Sequence, residues 1–163
     1  MESHVYALRD TGPAGGLIFY VDDVDEFSWD YLEAAPSDQS SGVLWSNGSN
    51  IVTGATGTVI GTGSANTEAI ITNQGVGTYA AQLCADLTIG NYSDWFLPSG
   101  DEYILMHEEL HTYNVGGFSE TGGYWTSSEV DVDSALGMSF RYCDQHSGNK
   151  SVHLDRVRAA RAF

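Results

Sequence analysis

Glycine restricts the fold of this sequence more than any other feature. The 163 residues include 19 glycines, which divide the apolar residues into short runs. Because each glycine weakens a helix or strand interior by about 0.5–1 kcal/mol but suits a turn, this spacing predicts many turns between short elements. Short apolar runs separated by turns are typical of β-rich or α+β folds and argue against a bundle of long helices.

Stretches near both ends of the chain predict strands. Residues 17–21 (LIFYV) form a continuous apolar run of β-prone residues, which is typical of a buried strand. Residues 29–35 predict a second strand that Pro36 ends, and residues 156–163 predict a final strand. We expect the strands at 17–21 and 156–163 to pair and to hold the two ends of the domain together.

Residues 136–141 carry the clearest strand pattern. Apolar residues alternate here with small or charged ones, and a period of two separates the two faces of a strand. We expect one face to lie in the core: Leu136, Met138 and Phe140. We expect the other face to point into solvent: Gly137, Ser139 and Arg141.

The middle of the sequence has helical spacing. Apolar residues follow this spacing from about Ala65, and Gly75 and Gly77 interrupt it, which predicts one broken helix or two short ones. Ser99 and Glu102 match a capping box, so we expect a further helix to begin there. Its core-facing stripe is expected at Tyr103, Met106 and Leu110.

Composition and charge narrow the functional classes. A hydrophobic content of 42% with 17% charged residues predicts one globular α+β domain, which we place at residues 12–163 after an N-terminal extension at 1–11. The net charge of -16 predicts no binding to nucleic acid and no attraction to anionic membranes. Residues 1–10 lack the basic and apolar regions of a signal peptide, so we expect any export signal or anchor to lie outside this chain.

One motif matches an enzyme signature. His107, Glu108 and His111 fit the H-E-x-x-H pattern of zinc proteases, in which two histidines bind zinc and the glutamate is the base. We expect the helix to end directly after His111, and no third ligand follows at the usual spacing. We therefore interpret these residues as the polar face of a capped helix that binds no zinc.

Two other motifs have plain structural interpretations. Gly61, Thr62 and Gly63 are similar to a dinucleotide-binding loop, but Asn66 stands where the third glycine belongs, so a turn before a helix is favoured. An acidic cluster could bind calcium but lacks EF-hand spacing, and a solvated loop is favoured. The cluster comprises Asp22, Asp23, Asp25 and Glu26. We predict no metal, no cofactor and no enzymatic activity.

The two cysteines do not form a disulfide framework. Cys84 lies in an apolar helical run and is expected to be a small core residue. Cys143 lies in a polar stretch, where we expect an exposed free thiol.

Six segments together match a known family. They are GPAGGLIFY at 12–20, LEAAP at 32–36, AAQLC at 80–84, DWFLPS at 94–99, YWTSSE at 124–129 and RVRA at 156–159. The sequence from residue 12 to 163 resembles the Lcl C-terminal domain family. This resemblance implies a C-type-lectin-like fold with mixed, mostly antiparallel sheets, two main helices, and N- and C-terminal strands paired with each other.

Residues 124–163 more narrowly resemble the variable proteins of diversity-generating retroelements, in which errors at adenines of Asn codons diversify a binding face. Residues typical of a fixed scaffold are Tyr124, Trp125, Glu129, Ala135, Leu136, Met138, Phe140, Gln145, Lys150, Arg156, Val157 and Arg158. Heterogeneous positions are interleaved with them, at 130–134, 137, 139, 141, 142, 144, 146–149 and 151–155. Adenine changes in Asn codons never yield Trp, Met, Gln, Lys or Glu, and none of these five occurs there. Cys143 stands where the pattern leads us to expect glycine.

The resemblance implies one exposed ligand-binding face in this segment. Its predicted residues are Val130, Asp131, Val132, Asp133, Ser134, Gly137, Ser139, Arg141, Tyr142, Asp144, His146, Ser147, Gly148, Asn149, Ser151 and His153. The expected partner is an unknown protein or cell-surface ligand, and the expected location is extracellular, on a cell surface or on a virion.

The main alternative is a module of fixed specificity, either an adhesin or a glycan-binding C-type-lectin-like domain. The Glu-Pro-Asn and Trp-Asn-Asp motifs of calcium-dependent sugar-binding lectins are absent from the sequence. Calcium-dependent sugar binding is therefore not implied, and an enzyme is the third candidate.

Overall fold

Three helices lie in the sequence between three N-terminal strands and five C-terminal ones. The computed structural model describes residues 5–163. The strands are β1 Leu17–Val21, β2 Tyr31–Ala34, β3 Ser40–Val43, β4 Tyr124–Glu129, β5 Ser134–Ser139, β6 Asp144–Asn149, β7 Asp155–Val157 and β8 Ala160–Ala162. The helices are α1 Gly63–Gln74, α2 Ala80–Ala85 and α3 Gly100–Glu109, and a 3-10 turn follows at His111–Tyr113. The α+β class is confirmed, with three helices where two main ones were expected.

The smaller sheet corrects the predicted pairing of the chain ends. Its strand order is β1-β2-β8, so β2 separates Leu17–Val21 from the C-terminal strand. Every residue of β2 is buried, and buried backbone groups need hydrogen-bonding partners within the protein. With antiparallel neighbours on both of its sides, β2 satisfies these groups and joins the two ends of the domain indirectly.

The predicted strand at 156–163 is divided between the two sheets. β7 lies in the larger sheet and β8 in the smaller one, and the chain changes sheets at Arg158 and Ala159. The buried guanidinium of Arg158 donates to the carbonyl oxygens of Ala35 and Gly116, at 3.1 and 2.7 Å, and pairs with Asp38 at 2.8 Å. A buried cation needs such partners, and Arg158 reaches them at the point where the chain passes from one sheet to the other.

The larger sheet has the order β3-β7-β4-β5-β6 and carries the segment predicted to bind a ligand. β4 and β7 are parallel, whereas the other neighbours are antiparallel. β5 and β6 form a regular hairpin whose register runs from Ser134 opposite Asn149 to Ser139 opposite Asp144. In its turn, Cys143 has a φ of 51°, a left-handed conformation that glycine adopts most easily.

The core has two groups of buried side chains. One surrounds Trp45, Tyr79 and Trp125 and includes Cys84, as predicted. The other contains Tyr103 and Met106 of α3, Met138 of β5, and Leu110 and Phe140, which directly follow these two elements. Leu136 is only half-buried, so it supports the core less than its neighbours do.

The capping box at the start of α3 is confirmed. The Ser99 hydroxyl accepts from the amide of Glu102, and the Glu102 carboxylate accepts from the amide of Ser99 at 2.7 Å. The other carboxylate oxygen of Glu102 accepts from the amides of Gly61 and Gly63, at 2.9 and 3.4 Å. A side chain of the protein therefore occupies the glycine loop that precedes α1.

The N-terminal segment contacts the smaller sheet. The amide of Arg9 donates to the carbonyl of Ile18, and the amide of Ile18 donates to the carbonyl of Asp10. Residues 1–4, which belong to the predicted extension at 1–11, lie outside the described residues. The domain boundary at residue 12 stays a prediction.

Candidate ligand-binding face

Most of the predicted binding residues lie on the β5–β6 hairpin and its loops. The exposed ones are Val130, Asp131, Val132, Asp133, Arg141, Tyr142, Asp144, Ser147, Asn149 and His153. The half-buried ones are Ser134, Ser139, His146 and Ser151. Their role in binding stays a prediction, but side chains at these positions can reach solvent.

Two predicted positions are buried, and the expectation that Gly137 points into solvent is wrong. A Cβ at Gly137 would overlap the imidazole of His146 and lie 2.7 Å from a carboxylate oxygen of Asp155. A Cβ at Gly148 would lie 2.7 Å from the indole of Trp125. Because larger side chains cover both glycines, they form the floor of the face, and their role in binding stays a prediction.

The hairpin separates the predicted face into two regions. The loop at residues 130–133 precedes β5, whereas Arg141 and Tyr142 follow it, and a strand of six residues extends for about 20 Å. A cleft of about 460 Å³ at the second end brings together five of the predicted residues: Ser139, Arg141, Tyr142, His146 and His153. A single ligand in this cleft therefore contacts only part of the predicted set.

Residues outside the predicted set complete the cleft. Its opposite wall is formed by residues 120–123 and by Leu154 and Asp155. The loop at 120–123 was missed because it precedes the segment of mixed composition. Its signal in the sequence is the pair Gly122 and Gly123 directly before β4. Asp155 could have been found as a carboxylate two residues after His153.

Arg141 and Tyr142 form the outer rim of the cleft. The guanidinium carbon of Arg141 lies 5.3 Å from the centre of the Tyr142 ring. Tyr142 is 68% exposed, which is high for a large aromatic side chain. An exposed tyrosine contributes contact area at a low cost in side-chain entropy, and its hydroxyl can still form hydrogen bonds.

The inner end of the cleft holds a histidine–aspartate–histidine cluster. Nε2 of His146 lies 2.9 Å from one Asp155 oxygen, and Nε2 of His153 lies 3.1 Å from the other. The Asp155 side chain is only 2% exposed, compared with 33% for His146 and 47% for His153. The hydrogen bond to Asp155 raises the pKa of His146, although burial alone would lower it.

A buried ion pair supports the loop at the other end of the hairpin. Nζ of Lys150 lies 2.7 Å from a Glu129 oxygen and donates to the carbonyls of Asp131 and Val132, at 2.7 and 3.2 Å. Burial alone would raise the pKa of Glu129, but hydrogen bonds from Lys150 and from Thr53 lower it. The pair therefore fixes the loop at residues 130–133 from beneath.

The H-E-x-x-H histidines pack under the turn of the hairpin. α3 ends at Glu109, before the second histidine. The ring of His111 stacks on Phe140 with 5.5 Å between the ring centres, and the rings of His107 and His111 are 5.2 Å apart. Burial lowers the pKa of His107. These rings support Phe140, and the expectation that they bind no zinc stays a prediction.

Comparison with known proteins gives a structural match. No protein-family model matches the sequence, and no curated protein matches it. The structure is similar to that of a fimbrial protein from Bacteroides ovatus, with a TM-score of 0.65 and 11% sequence identity. The match covers 91% of this chain and 44% of that one, so this chain spans less than half the length of the fimbrial protein. At this identity the likeness shows a shared fold.

Proposed function

We propose that this chain is a ligand-binding module displayed on a cell or virion surface, with the β5–β6 hairpin and its cleft as the binding face. The observation that carries the proposal is the contrast between buried scaffold residues and exposed variable-type residues in and beside the hairpin. Met138, Phe140 and Lys150 are fully buried. The heterogeneous positions beside them, such as Arg141 and Tyr142, are exposed.

This contrast between buried and exposed residues allows side chains of the face to be substituted without loss of the fold. Substitution of exposed residues usually changes stability by about 0.5 kcal/mol or less, whereas truncation of buried residues costs about 2–5 kcal/mol. Within the hairpin, β5 carries buried residues such as Met138, whereas β6 is mostly exposed. The arrangement is what a binding surface diversified by a retroelement requires, and the proposal includes that mechanism and a C-type-lectin-like fold of the Lcl type.

The structural neighbour supports the proposed location. It is a fimbrial protein, and from the shared fold we infer that the present domain is also displayed at a surface. Within residues 5–163, no helix has the length and apolar character needed to cross a membrane.

The proposed partner is a protein or another cell-surface ligand, and the domain itself is not an enzyme. Arg141 suits an acidic or planar group of the partner because a guanidinium donates several hydrogen bonds in one plane. Tyr142 supplies the apolar contact. The alternative is fixed specificity for a glycan, and the concave cleft beside Tyr142 favours it.

The test compares two exposed tyrosines. Tyr142→Ala and Tyr113→Ala remove similar rings, which are 68% and 57% exposed, but Tyr113 lies on the 3-10 turn after α3. Wild type and both variants are screened on an array of surface proteins and on a glycan array. We expect Tyr142→Ala alone to lose binding, with both melting temperatures near wild type. Equal binding by all three proteins would contradict the proposed face.

A separate observation distinguishes diversified from fixed specificity. A gene for a reverse transcriptase beside a near-identical repeat rich in Asn codons would support diversification. A genomic neighbourhood without either would leave the fixed-specificity module as the better explanation of the same binding face.

A further inference from the structure

His146, His153 and Asp155 converge although they come from different parts of the larger sheet. His146 lies on β6, Asp155 begins β7, and His153 lies in the loop between these strands. One ring nitrogen of each histidine and a carboxylate oxygen of Asp155 all lie within 4.8 Å of one another. We propose that these three side chains bind a divalent transition-metal ion, with zinc as the expected ion, which revises the expectation of no metal drawn from the sequence.

The distances suit a small ion. A tetrahedral zinc ion lies about 2.0–2.1 Å from its ligand atoms, which places neighbouring ligand atoms about 3.3 Å apart. The two nitrogen–oxygen distances are 2.9 and 3.1 Å. The two nitrogens bond to different oxygens of Asp155, and the three candidate ligand atoms lie within 4.8 Å of one another. An ion that replaces the two hydrogen bonds therefore also draws the two imidazoles closer together.

The ligand types select the class of metal. Two imidazoles and one carboxylate suit zinc, copper, nickel or iron, whereas calcium and magnesium require mainly oxygen ligands. Each imidazole binds metal in its neutral form, through the nitrogen that now faces Asp155 and with its proton on the other ring nitrogen. The acidic cluster near β1 lacks such nitrogen ligands.

The carboxylate is buried in a way that favours a bound cation. Asp155 is 2% exposed, and within the described residues its ion pairs are with the two imidazoles, without a lysine or arginine. A buried carboxylate is costly unless positive charge or strong hydrogen bonds compensate it. A divalent ion held by the same carboxylate supplies this charge directly.

The floor of the cleft is shaped around the cluster. A Cβ at Gly123 would lie 2.9 Å from both carboxylate oxygens of Asp155, and a Cβ at Gly137 would overlap His146. The rings of His153 and Trp125 pack in a T-shaped arrangement, with 5.6 Å between the ring centres. These neighbours restrict the orientation of the ligands, as the surroundings of metal sites commonly do.

The partial exposure of both histidines leaves one side of the site open to the cleft. Three protein ligands leave a fourth position of a tetrahedral ion free for water or for an outside group. That group could be a carboxylate or imidazole of the bound partner. This last step rests on the proposed function, whereas the metal site itself does not.

The experiment measures metal binding without any partner. Chelator-treated protein is titrated with zinc by calorimetry and with cobalt by visible absorption, and melting curves establish that each variant is folded. We expect one ion per chain. His146→Gln and His153→Gln should each weaken binding roughly tenfold or more. The control variant His107→Gln/His111→Gln should bind as wild type does.

Three results would overturn the metal site. They are a wild type that binds neither metal, binding that survives both His146→Gln and His153→Gln, and binding that the control variant loses. His153 is 47% exposed, so the folded His153→Gln variant keeps the test valid if another substitution disturbs the fold. Metal binding by a protein that binds nothing on either array would instead count against the proposed function alone.

Discussion

Replacing Lys150 with methionine tests how the exposed loops are held. The ammonium group is fully buried and has four acceptors: a Glu129 oxygen and the carbonyls of Ile51, Asp131 and Val132. Lys150→Met leaves Glu129 buried without its cation and leaves those carbonyls without their donor. Removal of one partner of a buried ion pair costs about 3–5 kcal/mol, so we expect a loss of that size.

Urea unfolding at neutral pH measures this loss, and Arg9→Met is the matched control. Arg9 and Glu109 form an ion pair whose side chains are 33% and 28% exposed, and such pairs contribute about 0–1 kcal/mol. The double variant Lys150→Met/Glu129→Gln should recover part of the loss, because no uncompensated charge remains. A Lys150→Met protein as stable as the Arg9→Met protein would refute the assigned role of the pair.

The same pair predicts how stability depends on pH. The pKa of Glu129 is lowered on folding from its ordinary value of 4.5. A group with a lowered pKa stabilises the folded state above its unfolded pKa, and this contribution is lost as the pH falls through the folded pKa. Part of the acid-induced loss of stability below about pH 4.5 should therefore disappear in Lys150→Met.

Three further changes test the core and the floor of the face. Phe140→Ala should cost about 3–5 kcal/mol in urea unfolding, because the ring is fully buried; a cost below 1 kcal/mol would contradict this. Gly137→Ala should cost about 1–3 kcal/mol, because its Cβ would overlap His146. A Ser139→Ala control should change stability by about 0.5 kcal/mol or less. Deletion of residues 159–163 removes β8 and should abolish cooperative melting; a deletion protein that melts as wild type does would refute this.

Patterns among residues close in the sequence correctly predicted the start of α3 and two core residues near the end of β5. The capping box placed the start of α3 because Ser99 and Glu102 satisfy each other's backbone groups within one turn. The alternation along residues 136–141 placed Met138 and Phe140 in the core for a similarly local reason. The alternation failed at Gly137. Glycine carries no side chain, so the burial of Gly137 depends on His146 and Asp155, which come from other strands.

Pairings between distant residues could not be predicted in this way. β2 is buried along its whole length and lies between β1 and β8, where both of its edges find hydrogen-bonding partners. The apolar runs of the three strands do not show which strand takes this central position. Likewise, β4 and β5 lie between the strands of Asp155 and His146, and the two side chains meet because Gly123 and Gly137 leave the space that they occupy. The sequence shows that His146 and Asp155 belong to one polar segment. The distance between their side chains depends on the order of strands in the larger sheet.

The position of the last two strands has a consequence for the biosynthesis of the domain. β7 lies between β3 and β4, and β8 pairs with β2, so neither sheet is complete until the final residues are available. A chain emerging from the ribosome cannot close its core early, since contacts between distant residues form slowly and late. Both sheets therefore close only after residues up to 162 have emerged, and until then the unpaired strands stay accessible to chaperones.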